Sequence, residues 1–199
     1  MSEQNRDPSS ADPPPPTQAE TLVSRRRLLQ GGLSAAPVLM TLVSRPVLAQ
    51  ECLTPSAFVS GNASTGGQPA LCTGLTPGSW KQSQHFSSWN GYYPTTVPGP
   101  GGHSATTFNS VFTPPFPNQG FTGPTLLQVL QTGGGPPNDV ARHVVAALLN
   151  SAANKTPVLT QAAVKNIWTE YITTGAYSPT AGVSWNHQQI VDYLLTTMS

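Results

Sequence analysis

The residues able to do acid–base, metal or nucleophilic chemistry are few, and their spacing limits what they can do. The histidines are His85, His103, His143 and His187. Beyond residue 49 the carboxylates are Glu51, Asp139, Glu170 and Asp192, so a glycosidase-type pair would have to be drawn from distant segments. The chain contains no G-x-S-x-G elbow, phosphate-binding glycine loop, H-E-x-x-H or dinucleotide fingerprint, and no cofactor is implied. Asp139 and His143 are spaced one helical turn apart. A carboxylate that orients a histidine base or metal ligand has this spacing. So does a first-turn carboxylate that stabilises a helix N-terminus beside a surface histidine, and that is the preferred reading. His187 falls on the apolar side of its own stretch with Ile190, Leu194 and Met198, as a part-buried structural histidine does. Several histidines in an exported protein could bind copper or zinc, but no ligand spacing supports it and no metal site is assigned.

Recognition chemistry is better represented. Trp80, His85, Trp89, Tyr92 and Tyr93 fall close together, with Gln84 and Asn90 among them. Flat rings beside amide groups suit sugar or peptide recognition, and these five are the candidate binding residues. The same rings could anchor a small core, and that reading is preferred for the cluster; for Trp80 it is strengthened because Thr76-Pro77-Gly78 is a helix-start sequence that fixes the ring relative to the chain.

Composition narrows the classes. The 199 residues carry 9 Lys+Arg against 8 Asp+Glu, too sparse for a nucleic-acid interface or for the charged heptads of a coiled coil. Beyond residue 49 the balance is neutral, Lys81, Arg142, Lys155 and Lys165 against the four carboxylates. A neutral surface rich in Ser, Thr, Asn, Gln and Gly offers no steering toward charged partners and fits an envelope or extracellular setting, with a carbohydrate or envelope component as the kind of partner implied. The two cysteines, Cys52 and Cys72, lie in a Gly/Ser/Thr/Pro-rich stretch, and export makes a disulfide the expected state. A two-thiolate metal site is the alternative, without a C-x-x-C to support it.

The export expectation rests on residues 1–49. Residues 1–24 are polar, include the run Pro13 to Pro16, and read as disordered. Arg25-Arg26-Arg27, an uncharged stretch over 30–44, and Val47-Leu48-Ala49 follow in the order basic, apolar, small-residue site. The apolar stretch is too short and too weakly apolar for a stable membrane span. Cleavage is expected after Ala49, and Cys52 is out of register for a lipoprotein. The S-R-R-R-L-L segment resembles a twin-arginine export signal, with Leu28 where the pattern more often has Phe. That resemblance implies an export machinery reading Arg25 and Arg26, and delivery of a folded protein to the bacterial periplasm or cell surface.

The fold class expected is mainly α: a small helical domain over 50–199 with a loop-rich, Pro/Gly-punctuated part (50–123) and a helical part (124–199). Residues 50–76 read as coil or short strand, with Ala57-Phe58-Val59 the strand-like run. A helix is predicted over 77–89. The stretch 94–123 reads as an ordered loop, since Phe108, Val111, Phe112, Phe116 and Phe121 are too many apolar side chains to leave in water. Helices are predicted over 124–131, over 139–153 capped by Asn138, over 161–174 capped by Thr160 and ended by Gly175, and over 185–197 capped by Ser184.

The segment Cys72-Thr-Gly-Leu-Thr-Pro-Gly-Ser-Trp-Lys81, with His85-Phe86 and Trp89, resembles the C-x(n)-T-P-G-x-W-K signature of a group of uncharacterised exported bacterial proteins. The likeness extends to Thr125–Leu130, Arg142-His143, Ala146–Asn150 and Gln189–Leu194. It implies an exported setting and no particular activity. The expected function is therefore a periplasmic or cell-surface binding or structural domain. A His- or metal-dependent exported enzyme is the alternative.

Overall fold

Helix starts in this chain are written by short polar side chains. In the computed structural model, which describes residues 52–61, 70–120 and 123–199, Thr54, Thr76, Thr125, Thr160 and Asn186 each sit in extended backbone and accept a hydrogen bond from the backbone N–H three residues on. That bond satisfies one of the N–H groups a helix leaves unpaired at its start. The helices they open are α1 (Pro55–Ser60), α2 (Pro77–Trp80), α3 (Leu126–Gln131), α5 (Gln161–Thr174) and α6 (His187–Thr196). The central α4 (Asn138–Ala152) opens without a side-chain cap. The protein is mainly α. A two-stranded antiparallel hairpin, β1 (Tyr177–Thr180) and β2 (Val183–Trp185), completes it. The leader, Arg25, Arg26, the cleavage site and Phe121 lie outside the described residues.

Four expectations are corrected. The strand-like Ala57-Phe58-Val59 is helical, because Thr54 caps and Pro55 presets the first turn. The helix predicted over 77–89 stops at Trp80, and after an extended Gln82 a 3₁₀ turn runs over Ser83–Ser88. A straight helix would place Trp80 and Trp89, nine residues apart, on opposite faces. The break lets both rings enter the core, where they are 0% and 1% exposed. Asn138 does not cap α4 but is its first residue, its amide donating to the Gly133 carbonyl (3.2 Å). Ser184 lies inside β2, and Asn186 starts the last helix through a reciprocal box with Gln189. The hairpin itself was not legible: its strands are short and one contains Pro179.

α4 packs against α2, α3, α5 and α6. It is therefore apolar almost all round rather than on one face, and every residue from His143 to Asn150 is buried. The same core extends to Phe108, Phe112 and Phe116 of the long loop, which close on Trp168 of α5, whose indole N–H donates to the Pro114 carbonyl (2.8 Å). It also takes in Trp185 and Tyr193, with Phe58 packed against them, and the Tyr193 hydroxyl donates to the Leu53 carbonyl (3.0 Å).

Cys52 and Cys72 are joined as a disulfide, with Cα atoms 5.1 Å apart. The bridge holds the α1 segment to the strand-like stretch at Gly74, which pairs in parallel with Met198 at the C-terminal end. In the chain-entropy account, closing a loop with a separation of 20 residues stabilises by about 3 kcal/mol. Protein recovered from a bacterial periplasm should show no alkylated cysteine before reduction. Its melting temperature should fall by roughly 10 °C on reduction. Two thiols alkylated without reductant, or an unchanged melting temperature, would contradict this. Among the described residues no helix is long and apolar enough to cross a membrane.

Candidate functional site

The five aromatic and histidine candidates separate into anchors and a surface. Trp80 is an anchor. Its indole N–H donates to the Asn150 Oδ1 (2.9 Å), which also accepts from the Leu75 N–H (2.7 Å), while the Asn150 amide donates back to the Leu75 carbonyl (2.9 Å). One fully buried side chain of α4 thus holds both the indole and the backbone just before the T-P-G turn. Gly74 belongs to the same joint, since a Cβ there would collide with the Thr197 carbonyl and the Asn150 amide. His85 is half-buried, its ring meeting the edge of Trp80 at 6.1 Å. Trp89 is also internal and stands edge-on behind Phe86 (6.0 Å).

Tyr92 and Tyr93 face a cleft of about 490 Å³ lined also by Phe86, Asn90, Val97 and His103. Its construction starts from a tight turn. Asn90 (φ 36°) and Gly91 (φ 86°) are left-handed, and the Tyr92 N–H closes the turn on the Trp89 carbonyl (3.2 Å). An Asn-Gly pair suits such a turn because both tolerate positive φ. The Tyr92 hydroxyl then donates to Gln161 Oε1 at the start of α5 (2.6 Å), and burial raises its pKa, so it remains a donor. The Tyr93 backbone is held on both sides by Thr106, through Oγ1 (2.8 Å) and N–H (2.8 Å). A glycine-rich turn pairs Val97 with His103. It brings the His103 ring against Tyr93 at 3.8 Å and 18°. Tyr93 is 43% exposed and Val97 48% exposed, so the stack and its neighbour form a flat apolar lip. The His103 Nδ1 is sheltered from solvent and has no hydrogen-bond partner among the described residues. Sequence reasoning counted His103 but did not join it to the tyrosines. The glycines around it were the available signal.

Asp139 and His143 do not meet through their side chains. The Asp139 carboxylate takes the Arg142 guanidinium (2.7 Å), and His143 Nδ1 donates to the Asp139 carbonyl (2.6 Å). That carbonyl can only accept, so Nδ1 carries the proton. Instead of lying on a polar face His143 is 4% exposed, at the start of the stretch of α4, His143 to Asn150, in which every residue is buried. Burial lowers its pKa, with Arg142 adding to the effect against the opposing backbone bond and Asp139 charge, and the ring is held neutral. His187 is half-buried at the first position of α6. Among the described residues no group of three or more His, Cys, Asp or Glu side chains could hold a metal ion.

A second cleft, of about 450 Å³, lies at the α4–α5 connection, lined by Ser151, Asn154, Thr156, Pro157, Leu159, Thr160, Gln161 and Ala162. No family model matches this chain, nor does any curated protein or solved structure.

Proposed function

We propose that this chain is an exported binding domain of the bacterial periplasm or cell surface, and that the cleft around Tyr92, Tyr93 and His103 is its binding face for an uncharged carbohydrate. The observation that carries the reading is the Tyr93–His103 stack: a flat, exposed aromatic surface at the mouth of a cleft, beside a sheltered ring nitrogen with no hydrogen-bond partner among the described residues. A pyranose ring presents an apolar face to stack on and hydroxyls to bond, and the cleft sets exposed rings beside the polar side chains of Ser87, Asn90 and Thr95. The route proposed is twin-arginine export through Arg25 and Arg26 with cleavage after Ala49. The disulfide and the absence of a membrane-crossing helix among the described residues fit a secreted or periplasmic setting. The T-P-G-x-W-K likeness to exported bacterial proteins points the same way.

The exported protein should bind at least one of a neutral glucan, a mannan or chitin. Tyr93→Ala should weaken that binding about thirtyfold or more, the effect of losing a contact worth about 2 kcal/mol, with its melting temperature unchanged. Titration calorimetry with the soluble oligosaccharides measures the affinities, and thermal unfolding the melting temperature. Absence of binding to the whole panel, or binding indifferent to Tyr93→Ala, would overturn the reading.

A further inference from the structure

The first cleft does not stand alone. Its Tyr92 donates to Gln161, which lines the second cleft (2.6 Å), and its Asn90 donates to the carbonyl of Ala152 (3.1 Å), the neighbour of Ser151 in the second cleft's wall. Residues of the two linings are thus bonded neighbours at Asn90 and Tyr92. The linings also agree in chemistry. None of the side chains lining either cleft is Asp, Glu, Lys or Arg. The second cleft is made of hydroxyl and amide groups beside Pro157, Leu159 and Ala162. Each cleft contains one sheltered polar atom with no hydrogen-bond partner among the described residues, His103 Nδ1 in the first and Thr156 Oγ1 in the second, and Thr156 is only 3% exposed. A buried polar atom without a partner is uncommon in a folded protein; Trp89 Nε1 and Arg142 Nε, which line neither cleft, share that state.

We propose that the two clefts are adjacent subsites for a single uncharged oligosaccharide chain, with the Tyr92–Gln161 bond forming the ridge the chain crosses. This rests on the binding reading above and adds to it that the ligand is a polymer rather than a single sugar. An extended neutral peptide would satisfy some of the same groups. The paired hydroxyl-and-amide linings with an exposed ring stack favour a chain of rings carrying many hydroxyls.

The test compares single sugars with tetramers of the gluco, chito and manno series on the exported protein by titration calorimetry. The tetramer of the preferred series should bind at least about tenfold more tightly than its monomer, as an added subsite of ordinary strength gives. Ala162→Trp, an exposed position in the first turn of α5, should fill the second cleft, bring the tetramer down to the monomer's affinity and leave the monomer's affinity unchanged. Thr156→Val should remove part of the same gain. Equal affinity for monomer and tetramer, both lost in Tyr93→Ala, would overturn the two-cleft proposal while leaving the binding face in place. So would a length gain that survives Ala162→Trp, or a neutral Pro/Gly peptide that displaces the tetramer as strongly as the sugar does. Failure of every sugar to bind would remove both readings together.

Discussion

Replacing Trp80 by alanine should cost about 3 to 5 kcal/mol of unfolding free energy, the range for deleting a buried aromatic ring, and lower the melting temperature by roughly 10 °C or more. The ring is fully buried between α2 and α4, and its indole N–H is one of the two donors on Asn150 Oδ1. Removal therefore opens a large cavity and leaves part of a buried acceptor unused, and such a loss approaches half the stability of an ordinary domain. Trp80→Phe separates the two parts: it keeps most of the volume and loses the hydrogen bond, so its cost should be nearer 1 to 2 kcal/mol. Urea unfolding of both variants measures this. A melting temperature for Trp80→Ala within a degree or two of the parent would show that the ring anchors nothing.

Asn150→Ala should be comparably severe, about 4 kcal/mol, for a different reason. The side chain is fully buried and leaves behind three stranded groups, the Trp80 indole N–H and the N–H and carbonyl of Leu75. An orphaned buried group costs about 1 to 3 kcal/mol; the Trp80 indole N–H is buried, and the two Leu75 groups are part-buried. Asn150→Asp should fare no better. It places an oxygen against the Leu75 carbonyl where the amide had donated, and it buries a carboxylate without a cationic partner. Because Trp80 and Asn150 share one bond, Trp80→Phe and Asn150→Ala combined should cost less than the sum of the two, by about 1 kcal/mol. Strict additivity in that cycle, read from urea unfolding, would show that the bond does not couple them.

The joint at Asn150 shows where sequence reasoning reaches and where it ends. Thr76-Pro77-Gly78 announces a helix start and a placed tryptophan. The structure contains that start, and Trp80 is inside. Nothing in the chain announces that Asn150, seventy residues away, is the partner, since an asparagine in an Ala/Leu-rich helix reads equally as an exposed or a buried one. His143 is the same difficulty with a different outcome. Its wheel position was polar relative to Val144, Val145 and Leu148. A wheel describes one covered face, though, and α4 is packed against four other elements that bury every residue from His143 to Asn150.

The Thr76 and Thr160 caps and the Gly175 stop were legible because the interactions that decide them span three or four residues. Thr160 reaches the Ala163 N–H, and Gly175 ends α5 with a left-handed φ of 83°. Whether a given aromatic faces water was not local. Trp89 and Tyr93 are four residues apart in one loop, yet one is 1% and the other 43% exposed. The break after Trp80 turns Trp89 inward, and a turn ten residues further on carries His103 against Tyr93. Two bonds to partners 62 and 69 residues away, Asn90 to Ala152 and Tyr92 to Gln161, set the clefts side by side. Composition supplied the rings and the amides. Their assignment to core or surface had to wait for the packing of distant segments, because burial is a property of what a residue is pressed against and no four-residue window contains that.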